Sequence, residues 1–331
     1  MQIVRIVFLL IGVALLGVIV ANTDMRGALM LVSQVGWGIG LLLLIFLATF
    51  LGDTLCWQIT LRGVPMTIGW FFRLWVVRMI GEAFNNTLPA GGMGGEPVKA
   101  VLLKRHFHVA YTEGAASLFA SKTVNMIALI GFLSIGFVFM LAEDRLPSQL
   151  QWMGGLGLAV LSCAIVGFFA VQRFGVSSLS LRWLTGKVGS KRLAAAVELV
   201  AAVEIRFEEF YAQSRGRFAA ALAVALSVWM FSIIEVYAAL YLLGHPVSWT
   251  EAWIIEAAVQ LVRAVAFFIP SGLGALDGTL LVLCSIFTGA PTAGAAVVLL
   301  RRLRDILWIC AGFGLGPVLA KFQPETEPEN G

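Results

Sequence analysis

Two short glycine- and proline-rich stretches hold the residues whose types and spacing could do chemistry. In NNTLPAGGMGGEP (85–97), Glu96 follows Pro89 by seven residues, and in PSGLGALD (270–277), Asp277 follows Pro270 by seven. Both pairs stand 181 residues apart, Pro89 to Pro270 and Glu96 to Asp277. In the apolar segments behind them, Ala115-Ala116 and Lys122-x-x-Asn125 correspond to Ala295-Ala296 and Arg302-x-x-Asp305, 180 residues on. One such pair would mean little in a chain with 35 glycines; the ordered set marks an internal repeat. A carboxylate at a helix start has two readings, and both stay open for Glu96 and Asp277. It can cap backbone amides and offset the helix dipole. At bilayer depth, where an acid costs about 2.5–3.5 kcal/mol to insert, it can mark a substrate pathway. Pro97 suits a first helical position, where no amide hydrogen is needed. Such helix starts also offer free amides to a phosphate group.

Cations stand near these acids by repeat symmetry. Lys122 and Arg302 fall near the middle of their apolar segments, where a cation needs a partner, and Glu96 and Asp277 are the nearest candidates. Arg301 and Arg304 are expected on other faces of the same helix, since successive positions turn by about 100°, and at least one of the three arginines is expected to snorkel or to pair with Asp305. Arg78, Glu82, Glu256 and Arg263 lie on the segments leading into the two turns, with Glu82 and Arg263 equivalent by repeat. Salt bridge and substrate contact are both open for them. Asp53 and Glu235 read as lone acids within spans.

Other chemistries find no support. GGMGG (91–95) is followed by no Lys-Ser/Thr and is no phosphate-binding P-loop. Neither a nucleophile elbow nor an HExxH motif occurs. His106 and His108 have nothing nearby to complete a metal site, and a place near a membrane face suits them better. Cys56, Cys163, Cys284 and Cys310 all sit in apolar runs, without disulfide or zinc spacing. The expectation is a non-enzyme without metal or cofactor and without a nucleic-acid partner.

The elements that must position these residues are membrane helices. Hydrophobic residues make up 60% of the chain and charged ones 13%, at a mean hydropathy of +0.92; soluble domains carry about 25% charged residues. Apolar runs predict six full spans near 4–21, 29–59, 113–141, 151–172, 217–243 and 291–320, the first uncleaved because no A-x-A site follows it. The two turn regions differ. Helices over 66–84 and 250–269 run into the Pro/Gly stretches, and the pieces behind them, 98–108 and 278–289, are too short to cross. Basic residues orient the chain. The segment 173–217 carries eight Lys/Arg and is expected in the cytoplasm, so 66–97 enters and leaves from that side as a re-entrant hairpin. With Lys321 inside, 250–289 enters and leaves from the outside. The repeats, about 66–141 and 250–320, are thereby inverted, and both termini are cytoplasmic. An amphipathic segment at about 178–213 lies along the interface. One transmembrane domain is expected over 1–322, with 323–331 as a disordered tail. The fold class is all-α and polytopic.

Opposed repeats with broken helices are a signature of secondary transporters, and irregular backbone at that depth must line a protein-covered polar cavity. The run Asn85-Asn86-x-Leu88-Pro89 … Gly94-Gly95-Glu96-Pro97-x-Lys99-Ala100, with Pro270-x-Gly272-x-Gly274-x-x-Asp277-Gly278, resembles the lysylphosphatidylglycerol synthase transmembrane family, also called flippase-like. The resemblance covers most of the chain, and its GGEP block is the most specific part. It implies a bacterial inner-membrane protein that moves or binds a lipid, a phospholipid or an isoprenoid or hopanoid; some stand-alone relatives are associated with hopanoid synthesis. Together with the cavity argument it gives the candidate substrate-binding residues: Asn85, Asn86, Pro89, Gly94, Gly95, Glu96, Lys99, Lys122, Pro270, Gly272, Gly274, Asp277 and Arg302. Two departures bear on which lipid is handled. Ser121-Lys122-x-x-Asn125 stands where the family commonly has Glu-Arg-x-x-Asp, and Asp277 where glutamate is usual. The chain ends after its last span, so synthase activity is not expected. Three functions are open: a lipid translocase, a proton-coupled exporter of a small solute, and a non-transporting partner of a lipid-synthesis enzyme. A lateral opening between helices would favour the first, a closed water-facing vestibule the second, and a hairpin region without a cavity the third.

Overall fold

A computed structural model describes residues 24–87, 94–173, 215–266, 272 and 274–320. The expected first span, the amphipathic segment, the tail, Pro89 and Pro270 lie outside the described residues. What is described is helical: α1 (Met25–Val35), α2 (Gly38–Thr60), α3 (Ile68–Thr87), α4 (Gly95–Phe107), α5 (Tyr111–Leu141), α6 (Ser148–Arg173), α7 (Arg215–Leu242), α8 (Trp249–Val265), α9 (Ala275–Thr288), α10 (Pro291–Gly314) and the short α11 (Gly316–Ala320).

Among the described residues, four helices are long and apolar enough to cross a membrane: α2, α5, α6 over Ser148–Gly167, and α7. Their side chains suit a lipid solvent, for Trp152, Met153, Leu156, Val160 and Val166 on α6 stand exposed. α10, at 24 residues, is long enough, but Arg301, Arg302, Arg304 and Asp305 interrupt its apolar run. α4 and α9, with 13 and 14 residues, reach about 20 Å, short of a hydrocarbon core of roughly 30 Å.

Local chemistry sets the breaks. The apolar run 29–59 is two helices rather than one, because Gly36 takes φ 53° and ends α1. The run 291–320 likewise breaks at Leu315. Asp24 caps α1 by accepting from the Gly27 amide at 3.0 Å, and Ser248 with Glu251 forms a capping box at the start of α8. α4 begins at Gly95, which puts Pro97 in its third position instead of its first. Proline is tolerated there for the same reason, since amides of the first turn have no helical acceptor.

Two sets of four helices share one packing pattern, α2–α3–α4–α5 and α7–α8–α9–α10. α2 packs on α7, and each hairpin closes on itself, α3 on α4 and α8 on α9. The sets then exchange partners: α5 packs on α8, and α10 on α3. The helix preceding each set packs on the last helix of the other, α1 on α10 and α6 on α5. The main apolar core joins α1, the start of α2, α5, α7, α8, α9 and α10, with Phe132 stacked between Trp229 and Trp253 at 5.3 and 5.5 Å. A second core holds the first hairpin, around Trp57, Leu74, Val77, Ala100 and Leu103.

Candidate functional site

The first hairpin is held by a polar latch. Asn85, near the end of α3, accepts from the Gly95 amide at 2.6 Å and donates to Glu82 and Glu96 at 3.1 and 3.2 Å. Glycine is required at the crossing. A Cβ on Gly95 would lie 1.8 Å from the Gly81 carbonyl oxygen, and one on Gly81 would meet the Lys99 stem at 2.4 Å. Lys99 therefore lies flat on α3, 1% exposed, with its ammonium on Glu82 at 2.6 Å and Glu96 at 2.9 Å. Glu96 also takes Lys122 at 3.3 Å. Arg78 adds Asp53 at 2.8 Å and Glu82 at 3.8 Å. Asn86 bonds back to the Glu82 carbonyl.

The second set is wired differently. The Asp277 carboxylate accepts from the Gly274 amide at 2.9 Å, where Gly274 sits at φ 77°, a left-handed conformation open to glycine. The same carboxylate grips Arg302 through Nε at 2.9 Å and Nη2 at 2.7 Å. Arg301 pairs with Glu256, and Arg304 with Glu235 and, at 2.8 Å, with Asp305. So both pairings expected from the repeat, Lys122 with Glu96 and Arg302 with Asp277, are present. The two acids are not alike in their capping. Asp277 caps its helix and balances a cation, whereas Glu96 spends its bonds on side chains, and Gly94 before it provides no side-chain cap.

These networks face one cavity of about 500 Å³. Its wall carries as many cations as carboxylates, seven of each: Arg78, Lys99, Lys122, Arg263, Arg301, Arg302 and Arg304 against Asp53, Glu82, Glu96, Glu235, Glu256, Asp277 and Asp305. Charges at bilayer depth are costly unless paired, and all of these except Arg263 have an ion-pair partner among the described residues. Of the expected site residues, Asn85, Asn86, Glu96, Lys99, Lys122, Gly272, Asp277 and Arg302 line it together. Gly94, Gly95 and Gly274 are not on its wall; they shape the turns behind it.

One reading is corrected: Asp53 and Glu235 are not lone acids, since each holds an arginine from a distant segment. Arg301, Arg302 and Arg304 reach three different carboxylates around the same cavity, and Arg304 also makes the expected pair with Asp305. Arg78 and Glu82, for which salt bridge and substrate contact were both open, form ion pairs on the cavity wall. Gln260, Ser232 and Trp308 belong to the wall although the motifs did not single them out. A periodic signal was available. Arg301, Arg304, Asp305 and Trp308 follow i, i+3, i+4, i+7, as do Phe46, Thr49, Phe50 and Asp53.

Known proteins resemble the chain over most of its length. The family described as the lysylphosphatidylglycerol synthase TM region matches residues 2–314. A UPF0104 membrane protein of Methanothermobacter thermautotrophicus is 25% identical over 291 residues, 83% of this chain and 81% of that one. A UPF0104 membrane protein of Pyrococcus horikoshii is 21% identical over 228 residues, 66% of this chain and 68% of that one. No solved structure matches.

Proposed function

We propose, from the premise that the chain belongs to the lysylphosphatidylglycerol synthase TM-region family, that it is a non-catalytic lipid translocase. The headgroup occupies the charged cavity while the acyl or isoprenoid part stays in the bilayer. The observation that carries this reading is a difference between two equivalent walls. α5 and α7 pack directly, with Phe132 stacked on Trp229. Their counterparts α10 and α2 do not pack as helices, and the gap is spanned by side chains. There Phe46 meets Trp308 edge-on at 4.9 Å, Phe50 stands 6.2 Å from the same ring, and the Arg304 guanidinium lies 3.9 Å over Phe46.

A wall of side chains, aromatic rings beside aliphatic residues such as Leu42 and Leu300, can part without breaking a close helix–helix interface, and hydrocarbon can pass between α2 and α10 while a headgroup moves inside. The cavity volume lies within the range of about 300–1,000 Å³ that suits one small ligand or headgroup. A proton-coupled exporter of a soluble solute would leave this lateral gap without a use, and a non-transporting scaffold would leave the cavity without one. If both hairpins return to the side they enter, three crossings (α2, α5 and α6) separate the start of one set from the start of the other. An odd number inverts the second set, and rocking of inverted repeats would close the α2–α10 wall as it opens α5–α7. The basic residues of 173–217 favour cytoplasmic placement of that segment and, with it, of both termini. The membrane in question is the bacterial inner membrane.

A phospholipid with a photoactivatable group at its acyl end, incorporated with the protein in vesicles, tests this. Adducts should concentrate on Phe46, Leu303 and Trp308 and be competed by unlabelled lipid. Labelling spread evenly over all lipid-facing helices, α6 included, would remove the portal from the account.

A further inference from the structure

Among the cavity residues that break the repeat symmetry, one inverts its charge. Glu82 of α3 corresponds to Arg263 of α8, 181 residues on, while Lys99, the partner of Glu82, corresponds to Leu280. The first set therefore pairs the two positions as an ion pair, and the second holds a cation at one and an apolar residue at the other. Arg263 lines the cavity and is exposed to it, and among the described residues it makes no hydrogen bond or ion pair. The nearest carboxylates are already engaged, Glu256 by Arg301 and Asp305 by Arg304. An unpaired arginine at membrane depth is costly, and the planar fork of one that finds no partner among the described residues fits an oxyanion through two parallel hydrogen bonds. On the opposite side, Lys122 is 41% exposed, and its one described ion pair is the 3.3 Å contact with Glu96.

We infer that Arg263 is the anion-binding subsite of the cavity and takes a phosphate-class oxyanion. This deepens the lipid reading and rests on it for the source of that phosphate, which is a phospholipid headgroup rather than the free ion. Arg263 holds the phosphate, while each of the other six cations on the wall is already engaged with one or more of its seven carboxylates.

Binding to the detergent-purified full chain is read by the fluorescence of Trp229 and Trp308, which line the same cavity. The probes are dihexanoyl phosphatidylglycerol, dihexanoylglycerol and inorganic phosphate. The phospholipid should bind at least tenfold more tightly than the diacylglycerol. Arg263→Gln should weaken it by about 10- to 100-fold, the worth of a hydrogen bond to a charged group, and leave the diacylglycerol unchanged. Arg263→Lys, which keeps the charge and loses the fork, should fall between and remains informative if the glutamine variant does not fold. Equal binding of phospholipid and diacylglycerol, or no loss in either variant, overturns the subsite. Inorganic phosphate binding as tightly as the phospholipid overturns the lipid source. Tight binding through Arg263 with no lipid movement in vesicles would keep the subsite and reject translocation.

Discussion

Asp277→Asn should be far more costly than Glu96→Gln, although the two acids occupy equivalent positions. Asp277 is 2% exposed and accepts three bonds from Arg302 and one from the Gly274 amide. An asparagine can still cap Gly274, so the loss falls on Arg302. That guanidinium keeps only Asp305, at 3.9 Å. Removing one side of a buried pair costs about 3–5 kcal/mol, and the lower end applies because Arg302 is 23% exposed. With Glu96→Gln, Lys99 keeps Glu82 at 2.6 Å and Lys122 stands 41% exposed. That loss is about 1 kcal/mol or less, as for pairs open to solvent. The two variants should differ by about 2 kcal/mol, roughly 30-fold in the unfolding equilibrium, measured by denaturant titration in one detergent. Asp277→Asn with Arg302→Met should regain most of the stability, since no charge is then left alone. Equal destabilisation by the two single changes, or no recovery in the double variant, would refute the assignment of different duties to the two acids.

Three further outcomes follow from the packing and the ion pairs. Gly95→Ala should open the first hairpin, because its methyl would overlap the Gly81 carbonyl; the cost should be at least the roughly 1–3 kcal/mol of overpacking, read as faster proteolysis at 88–94. Phe46→Cys with Trp308→Cys, in a chain lacking the four native cysteines, should stop lipid movement when bridged by a short bifunctional thiol reagent and regain it on reduction; unchanged movement in the bridged protein would exclude the portal. Outside the membrane, Arg145 binds Glu143 at 2.7 Å and also Glu251, tying the α5–α6 turn to α8. Its hydrogen bond holds the Glu143 carboxyl below the ordinary carboxylate range. The stabilisation is complete above about pH 4.3, the unfolded value, and is lost as pH falls through the lower folded one. Protection from hydrogen exchange at 143–146, corrected for the intrinsic pH dependence of exchange, should fall below about pH 4 in the native chain and lose this dependence in Arg145→Met.

The repeat and its paired charges were legible because they are written locally. A proline, a fixed spacing and a carboxylate identify each turn, and the same offset predicts the Lys122–Glu96 and Arg302–Asp277 pairs. The helices were legible from apolar length, except where one residue breaks a run, as Gly36 does by its left-handed φ. The partners of Asp53 and Glu235 were not legible, because which arginine they meet depends on how α2, α3, α7 and α10 pack. The spread of Arg301, Arg302 and Arg304 over different rows of one helix was legible from a turn of about 100° per residue; that all three rows face one cavity was not, because it depends on how the other helices pack around it. That Arg263 makes no ion pair among the described residues was not legible either, because the contrast with its repeat counterpart is visible only once Lys99 is seen on Glu82.

Lipid movement in reconstituted vesicles tests the central claim most directly. A fluorescent phospholipid is placed in both leaflets, and a membrane-impermeant reductant bleaches only the outer one. With the folded protein present, the protected inner-leaflet fraction should fall below that of empty vesicles, and Arg263→Gln at matched folded protein should restore protection. The same protected fraction with and without folded native protein would contradict the account.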